Sequence, residues 1–458
     1  MSAWPAMALP AEEPLPEYLT RPELQRLQCE KLRALLQLAR AQNPFYRRKW
    51  EGLDMPEAGE DARALLQLLP FTTKAELLAD QQAAPPYGTN LTFPPEHYFR
   101  CHQTSGSTGA TLRWPDTRES WLAMLDAWAQ IFRAAQVTPR DRLFFAFSFG
   151  PFIGFWSAFE AAERLGCFCF PGGAMNSEAR LRALLDNHCT VLLCTPTYAL
   201  HLGQEARAAG LDLAASRIRL IITAGEPGGS VPAVRARLSS LWNGARVFDH
   251  HGMTETGPVT YECPARPGVL HVMENLFVAE VVDPATGQPG VTEGELVLTT
   301  LNRVGSPAIR YRTGDRVRVA PEGVCACGRH LLALEGGIIG RADDMVIVRG
   351  VNVYPAAVDN LIRGFKDVAE YRVHLVQSGA LPELLVEIEP APGVLYPETL
   401  AQRLRCAFHT ALGLRVPVRL AAPGTLPRFE MKSRRWVKTL GEPLTSGESP
   451  DKFPVFPV

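Results

Sequence analysis

Four short clusters in this chain hold side chains with chemistry in them, and three of them point toward phosphate, sugar or metal. The first is Thr104 to Gly109, where Thr104, Ser105, Ser107 and Thr108 are interleaved with Gly106 and Gly109. Small hydroxyl residues between glycines let backbone N–H and side-chain O–H groups wrap phosphate oxygens without obstruction. No Gly-Lys-Ser/Thr follows, so this is not a Walker loop. A flexible surface loop has the same composition. The second cluster runs from Asp249 to Pro258, DHHGMTETGP, with Glu255 beside Thr254 on a glycine-bracketed turn. A carboxylate next to a hydroxyl suits a hard, oxygen-coordinated Mg²⁺ near phosphates, a capped surface turn being the alternative. In the third, Tyr311 to Asp315, a carboxylate follows a tight turn, placed to accept hydrogen bonds from ribose hydroxyls. The fourth, Gly340 to Asp344 followed by VRGVNVYP from Val348 to Pro355, falls where the texture of the sequence changes. A domain boundary is where a hinge belongs.

A second kind of constellation joins Cys263, His271, Cys325 and Cys327. Three thiolates and an imidazole make a tetrahedral zinc set, and the Cys325-Ala-Cys327-Gly328 run gives two sulfurs a tight, glycine-terminated turn. The spacing is Cys-X-Cys rather than the more diagnostic Cys-X-X-Cys. Four protein ligands leave no open position, so such a zinc is structural. His251 is an alternative fourth ligand, and unrelated surface thiols are the other reading.

These clusters need elements to hold them. Apolar positions recur at helical spacing from about Arg21 to Trp50, interrupted at Asn43-Pro44. From Trp121 to about Val272, amphipathic stretches such as WLAMLDAWAQIFRAA alternate with apolar runs such as RLFFAF, TVLLCT and IRLIITA, which indicates an α/β sheet. After Met273 the runs LFVAEVVD, GELVLTTL and DRVRVA suggest an antiparallel or barrel-like subdomain. Past Gly340 the pattern is a small α+β module ending in a polar tail. Cys167, Cys169, Cys189 and Cys194 sit in apolar, strand-like runs and are expected to pack.

At 458 residues the chain is too long for one core, so a large and a small domain are expected. The 47 basic against 48 acidic residues give a formal charge of -1, which excludes a global field that recruits nucleic acid or an anionic membrane. The N-terminus lacks a basic stretch followed by an apolar one, and no apolar run is long enough to span a bilayer. The expectation is a cytoplasmic protein, monomer or homodimer, with a small-molecule partner.

Taken in order, the four clusters resemble the adenylate-forming superfamily of acyl-CoA synthetases, luciferases and peptide-synthetase adenylation domains. The chain is most similar to phenylacetate-CoA ligases and their aryl-acid relatives. Supporting signatures are NPFYR from Asn43, LPFTTK ending at Lys74, TPTY from Thr195, AGEPGGS from Ala224 and LPRFEMK ending at Lys432. The resemblance implies a large multi-subdomain α/β domain over 1–342 and a small mobile α+β domain over 343–458. It implies ATP, Mg²⁺ and coenzyme A as cofactors and co-substrates, and structural Zn²⁺ occurs in some members.

By the same resemblance Thr104, Ser105, Gly106, Ser107, Thr108 and Gly109 form the phosphate loop, and Gly225, Glu226 and Pro227 line the adenine side with His251, Gly252 and Met253. Thr254 meets the α-phosphate, Glu255 the magnesium, Asp315 the ribose, and Arg341 the ribose or phosphate. Asp343 is the hinge and Lys432 the catalytic lysine. Phe147, Phe149 and Phe152, with the backbone of Ala224 and Gly225, are the implied walls of an acid pocket whose flat faces suit a ring. Core packing is the competing role for each phenylalanine. The implied reaction makes an acyl-adenylate from a small aromatic acid of the benzoate, anthranilate or phenylacetate type, releases pyrophosphate, and forms a thioester with CoA or with a carrier protein. Two departures stand out: Ala110 occupies the position of a lysine in relatives, and His251 that of a tyrosine.

Overall fold

In the computed structural model the described residues are 15–54, 61–104, 111–321, 323–341, 346–348, 351–353, 355–377, 382–428, 435–440 and 455–457. The first long helix, Arg21–Gln42, starts in a capping box in which the Thr20 amide donates to Oε2 of Glu23 at 2.7 Å. Its Leu24, Leu32, Leu35 and Leu36 stripe is buried. Asn43 ends that helix and accepts from the Tyr46 amide to cap the next, Pro44–Lys49, so the Asn-Pro breaker turns the chain. Phe45, Tyr46 and Trp50 then pack with Trp114, Ile309 and Tyr311.

Five short apolar strands form one parallel sheet in the order Phe168–Pro171, Arg142–Phe145, Val191–Cys194, Leu220–Thr223, Arg246–Asp249. Helices Arg118–Ala135, Trp156–Leu165, Ser177–Asp186, Pro196–Ala208 and Pro232–Leu241 are interleaved with these strands along the chain. Apart from the edge strand Phe168–Pro171, whose Phe168 is exposed, the strands are largely buried on both faces, which is why they read as continuous apolar runs rather than alternating ones. Cys189 and Cys194 are fully buried here and Cys167 nearly so. Burial pushes the Cys167 and Cys189 thiols up to about 11, so they stay neutral and act as small apolar residues.

A six-stranded antiparallel sheet follows, ordered Thr260–Glu262, Val269–Val272, Ala333–Arg341, Tyr311–Val319, Glu293–Thr300, Phe277–Val282. Its two edge strands are not paired with each other among the described residues, so it is an open sheet rather than a barrel. The small C-terminal domain is a five-stranded sheet under helices Pro355–Arg363 and Pro397–Leu412 with its own core around Val373, Val386, Leu404 and Phe408. The segment expected as a polar tail contributes two strands to it. Trp436–Leu440 runs parallel to Val368–Gln377, and Val455–Pro457 pairs antiparallel with it. That pairing joins positions over 60 residues apart, for example Val373 with Trp436, and no local period announces it.

No described helix is long and apolar enough to cross a membrane.

Candidate active site

In an open parallel sheet ligands bind beyond the carboxyl ends of the strands, where the strand order reverses. Here the order reverses between Arg142–Phe145 and Val191–Cys194. Four motifs noted in the sequence leave successive strands at that end. The aromatic run follows Phe145, the TPTY run follows Cys194, the Ala224 to Ser230 loop follows Thr223, and the His250 to Pro258 segment follows Asp249.

The loop after Thr223 is pressed against its support. A Cβ at Gly229 would fall 2.2 Å from both Oδ1 of Asp249 and Oγ1 of Thr223, so only glycine fits. Asp249 is consumed as a strut: its carboxylate accepts from Ser230 Oγ at 2.5 Å and Thr223 Oγ1 at 3.1 Å. Burial pushes its carboxyl above the usual range. Gly225, Glu226 and Pro227 form the crest of that loop, and Glu226 reaches across to accept from the Thr197 amide at 2.7 Å. That amide lies in the first turn of helix Pro196–Ala208, where N–H groups lack intrahelical partners and favour an anion.

Thr254 and Glu255 sit at the tip of a small hairpin, Gly252–Met253 against Gly257–Pro258. The hairpin is fixed from below by Arg303, which lies 2.7 Å from both carboxylate oxygens of Asp116 and donates to the Thr254 carbonyl at 2.6 Å. Both partners of this ion pair are buried. Asp116 lies on Arg113–Thr117, the strand that returns from the 105–110 segment. Thr104 closes the base of that segment: its amide donates to the Leu112 carbonyl at 2.9 Å and its Oγ1 accepts from the Leu112 amide at 3.0 Å. Ser105, Gly106, Ser107, Thr108 and Gly109 lie outside the described residues, as do Asp343 and Lys432.

Glu255 is buried and accepts from the Tyr311 hydroxyl at 3.2 Å through Oε1. Nζ of Lys74 lies 3.7 Å from the same oxygen. Among the described residues Oε2 accepts no hydrogen bond, which leaves one hard oxygen for a cation. Asp315 is held from two sides. Oδ2 lies 2.9 Å from Nε2 of His251 and Oδ1 lies 3.0 Å from NH1 of Arg341. Burial would raise its carboxyl, yet the His251 hydrogen bond and charge and the Arg341 charge hold it below the usual range. Arg341 also donates to the Thr313 carbonyl at 2.8 Å.

Phe147, Phe149 and Phe152 are half-buried, whereas Phe155 is a core residue. Phe149 has φ +51°, a conformation that costs energy for a bulky side chain and is often stored at functional sites. Its ring packs edge-on against Phe147, Trp156 and Phe159 at 5.1, 4.9 and 5.4 Å. The aromatic loop is tied to the strand that enters the Thr104 segment, since the Gln103 amide donates to the Pro151 carbonyl at 2.8 Å.

Two family models match the chain, the AMP-binding enzyme model over residues 29–302 and the AMP-binding enzyme C-terminal domain model over 350–439. Phenylacetate-coenzyme A ligase of Thermus thermophilus is 31% identical over 446 residues, 91% of this chain and 97% of the relative. The chain belongs to the phenylacetate-CoA ligase family of AMP-binding enzymes. It is an AMP-forming CoA ligase, as that family's organisation requires. Phenylacetate-coenzyme A ligase of Escherichia coli is likewise 31% identical, over 90% of this chain and 94% of its own. Among solved structures, 2-hydroxyisobutyryl-CoA ligase in the postadenylation state with its acyl-AMP superposes with a TM-score of 0.88, at 29% identity over 94% of both chains. The same ligase in the thioesterification state with CoA gives 0.71, at 30% identity over 95% of this chain and 94% of its own. The chain thus superposes better on the postadenylation structure of that ligase than on its thioesterification structure.

The zinc-type set is assembled by the fold. The ligand atoms of Cys263, His271, Cys325 and Cys327 all lie within 4.8 Å of one another. Sγ of Cys263 is 3.5 Å from Sγ of Cys325, and Sγ of Cys327 is 3.4 Å from Nε2 of His271. A tetrahedron with ~2.3 Å metal–sulfur bonds has edges of roughly 3.8 Å, so the four atoms fit a zinc ion. Burial lowers His271 to about 4, which leaves its imidazole neutral, the ligating form. His251, the alternative ligand, is engaged with Asp315 instead.

Lys74 and Arg303 are the residues that sequence reasoning missed. Lys74 was visible only as the end of the LPFTTK signature. Arg303 lies in a loop without a motif, and nothing local marks it.

Proposed function

We propose that this ligase activates a small aromatic carboxylate of the benzoate, anthranilate or phenylacetate type. The observation that carries this reading is the hydrogen bond between Gln103 and Pro151, which fastens the half-buried Phe147, Phe149 and Phe152 loop to the strand feeding the Thr104 segment. That bond supports a reading in which the three rings stand near the segment expected to hold the phosphates. The relatives named phenylacetate-coenzyme A ligase support the same class of acid. The fold alone does not choose it, because 2-hydroxyisobutyryl-CoA ligase is built on the same frame.

In the first half-reaction a carboxylate oxygen attacks the α-phosphorus of ATP and pyrophosphate leaves. Negative charge builds on the phosphorus centre and must meet preorganised cations and N–H donors. Asp315, oriented by His251 and Arg341, accepts from ribose hydroxyls. Gly225 to Pro227 flank the base, and Gly252 and Met253 carry Thr254 to the α-phosphate. Glu255 holds Mg²⁺, which when bound neutralises phosphate charge. Lys432 supplies a positive charge that is used only in this half. For the second half the small domain turns about Asp343 and the thiol of CoA attacks the acyl carbon, expelling AMP. Cys263, His271, Cys325 and Cys327 hold a structural zinc whose net negative thiolate charge is balanced by the neighbouring Arg266 and Arg329.

The test is pyrophosphate release across benzoate, anthranilate, phenylacetate and hexanoate, with free CoA and a holo-carrier protein offered in parallel and products read by mass spectrometry. Release with the three aryl acids and CoA thioester as product is expected. Preference for hexanoate would remove the aromatic assignment, and exclusive transfer to the carrier protein would replace CoA as acceptor.

A further inference from the structure

Where the small domain docks on the large one, a cavity of about 40 Å³ lies between helices Pro196–Ala208 and Pro232–Leu241 on one side and helix Pro355–Arg363 with strand Val368–Gln377 on the other. At about 10–15 Å³ per water position, this is room for a few waters or one small oxyanion. Four arginines line it, Arg237, Arg363, Arg428 and Arg435, against the single carboxylate of Glu370.

Three of the four are already used. Arg435 grips Glu370 with two bonds of 2.6 and 2.9 Å, and Arg428 grips Glu389 with bonds of 2.6 and 3.1 Å. Arg363 crosses the domain boundary and donates to Thr197 Oγ1 at 3.0 Å, with Glu226 and Asp359 close enough to be felt by its charge. Arg237 is the remainder. Among the described residues it makes no hydrogen bond and no ion pair, and the charges that act on it are Arg363 and Arg207, which repel it, and Glu370, which Arg435 already holds. A half-buried guanidinium facing other guanidinium groups is unfavourable unless an anion neutralises it. Burial and the neighbouring cations accordingly pull Arg237 below the ordinary arginine range.

We infer that this interdomain cavity is a binding site for a small tetrahedral oxyanion, a phosphate group that bridges Arg237 of the large domain to Arg363 of the small one. Planar guanidinium forks suit such a group. The phosphate is either free inorganic phosphate or one carried by CoA, and the chemistry of recognition is the same. Because the cavity exists only while the domains are docked as they are here, an anion in it favours this arrangement over the one that forms the thioester. The inference rests on the docking of the two domains, not on which acid is activated.

The test uses the full chain, wild type, Arg237→Gln and Arg237→Lys, in thermal melts with phosphate titrated against chloride at matched ionic strength. Wild type is expected to gain a saturable rise in Tm of a few degrees with phosphate. Arg237→Gln loses it, and Arg237→Lys keeps part. A second arm compares CoA with 3′-dephospho-CoA in the complete reaction. Inhibition by high CoA, but not by dephospho-CoA, that is relieved in Arg237→Gln assigns the site to the CoA phosphate. A phosphate-dependent Tm rise with both thiols unaffected assigns it to free phosphate. No saturable Tm rise over chloride together with no 3′-phosphate-dependent inhibition by CoA overturns the site, and so does a Tm rise of equal size in Arg237→Gln. The melts need no turnover, so their failure is separable from failure of the aryl-acid assignment.

Discussion

Nε2 of His251 lies 2.9 Å from Oδ2 of Asp315, so the residue that replaces a tyrosine orients the carboxylate expected to hold the ribose. A hydrogen bond to a charged group contributes about 1.5–3 kcal/mol. His251→Ala is therefore expected to raise KM for ATP by about tenfold or more, with little effect on KM for the acid. Steady-state kinetics in both substrates checks this, and an equal rise in the two would assign His251 to general packing.

The same pair sets an acid limit on stability. Asp315 has its folded pKa depressed by His251 and Arg341, so its contribution is present above the unfolded value of about 3.9 and is lost as pH falls through the lower folded value. Without the His251 partner the depression is smaller, so less stability is present to lose. Urea midpoints measured between about pH 3 and 6 should differ most at the upper end and converge as pH falls.

Arg303 is buried against Asp116 and also supports the Thr254 carbonyl. Removing one partner of a buried pair costs about 3–5 kcal/mol because the other charge is left uncompensated. Arg303→Ala should lower the unfolding free energy by that amount, read from the fall in the urea midpoint. Arg303→Lys should retain more stability yet lose adenylation rate, since a single ammonium cannot fork Asp116 and reach Thr254 together. Loss of stability with an unchanged rate per folded molecule would show that the hairpin does not depend on this support.

Chelation should release about one zinc per chain and lower Tm, with activity of the protein that stays folded unaffected. Elemental analysis together with melts decides it. Absence of zinc, or immediate inactivation without unfolding, would remove the structural assignment.

Phe149→Ala removes the ring while keeping the Cβ and the left-handed backbone conformation. The loss for single-ring acids should be a few kcal/mol, about 2–4, with longer acids suffering less and KM for ATP spared. Equal losses for benzoate, anthranilate, phenylacetate and hexanoate would mark Phe149 as a core residue.

Lys432→Ala should cut adenylate formation by orders of magnitude while sparing thioester formation from supplied adenylate. Rates of the two half-reactions, measured separately, check it.

The sequence by itself determined everything that depends on near neighbours. Helix Arg21–Gln42 and its break at Asn43 follow from a capping box and an Asn-Pro step, and the apolar runs RLFFAF, TVLLCT and IRLIITA became parallel strands because strands buried on both faces are apolar throughout. Residue types also announced the thiolate and imidazole set. What the tertiary structure decided are contacts between distant positions. His251 and Asp315 are 64 residues apart, Arg303 and Asp116 are 187 apart, and Arg363 and Thr197 are 166 apart. No periodicity encodes such a pair, because each is fixed by where two strand ends or two domains happen to meet. The surplus charge at Arg237 is of the same kind: a lone arginine on a helix means nothing until another domain closes over it.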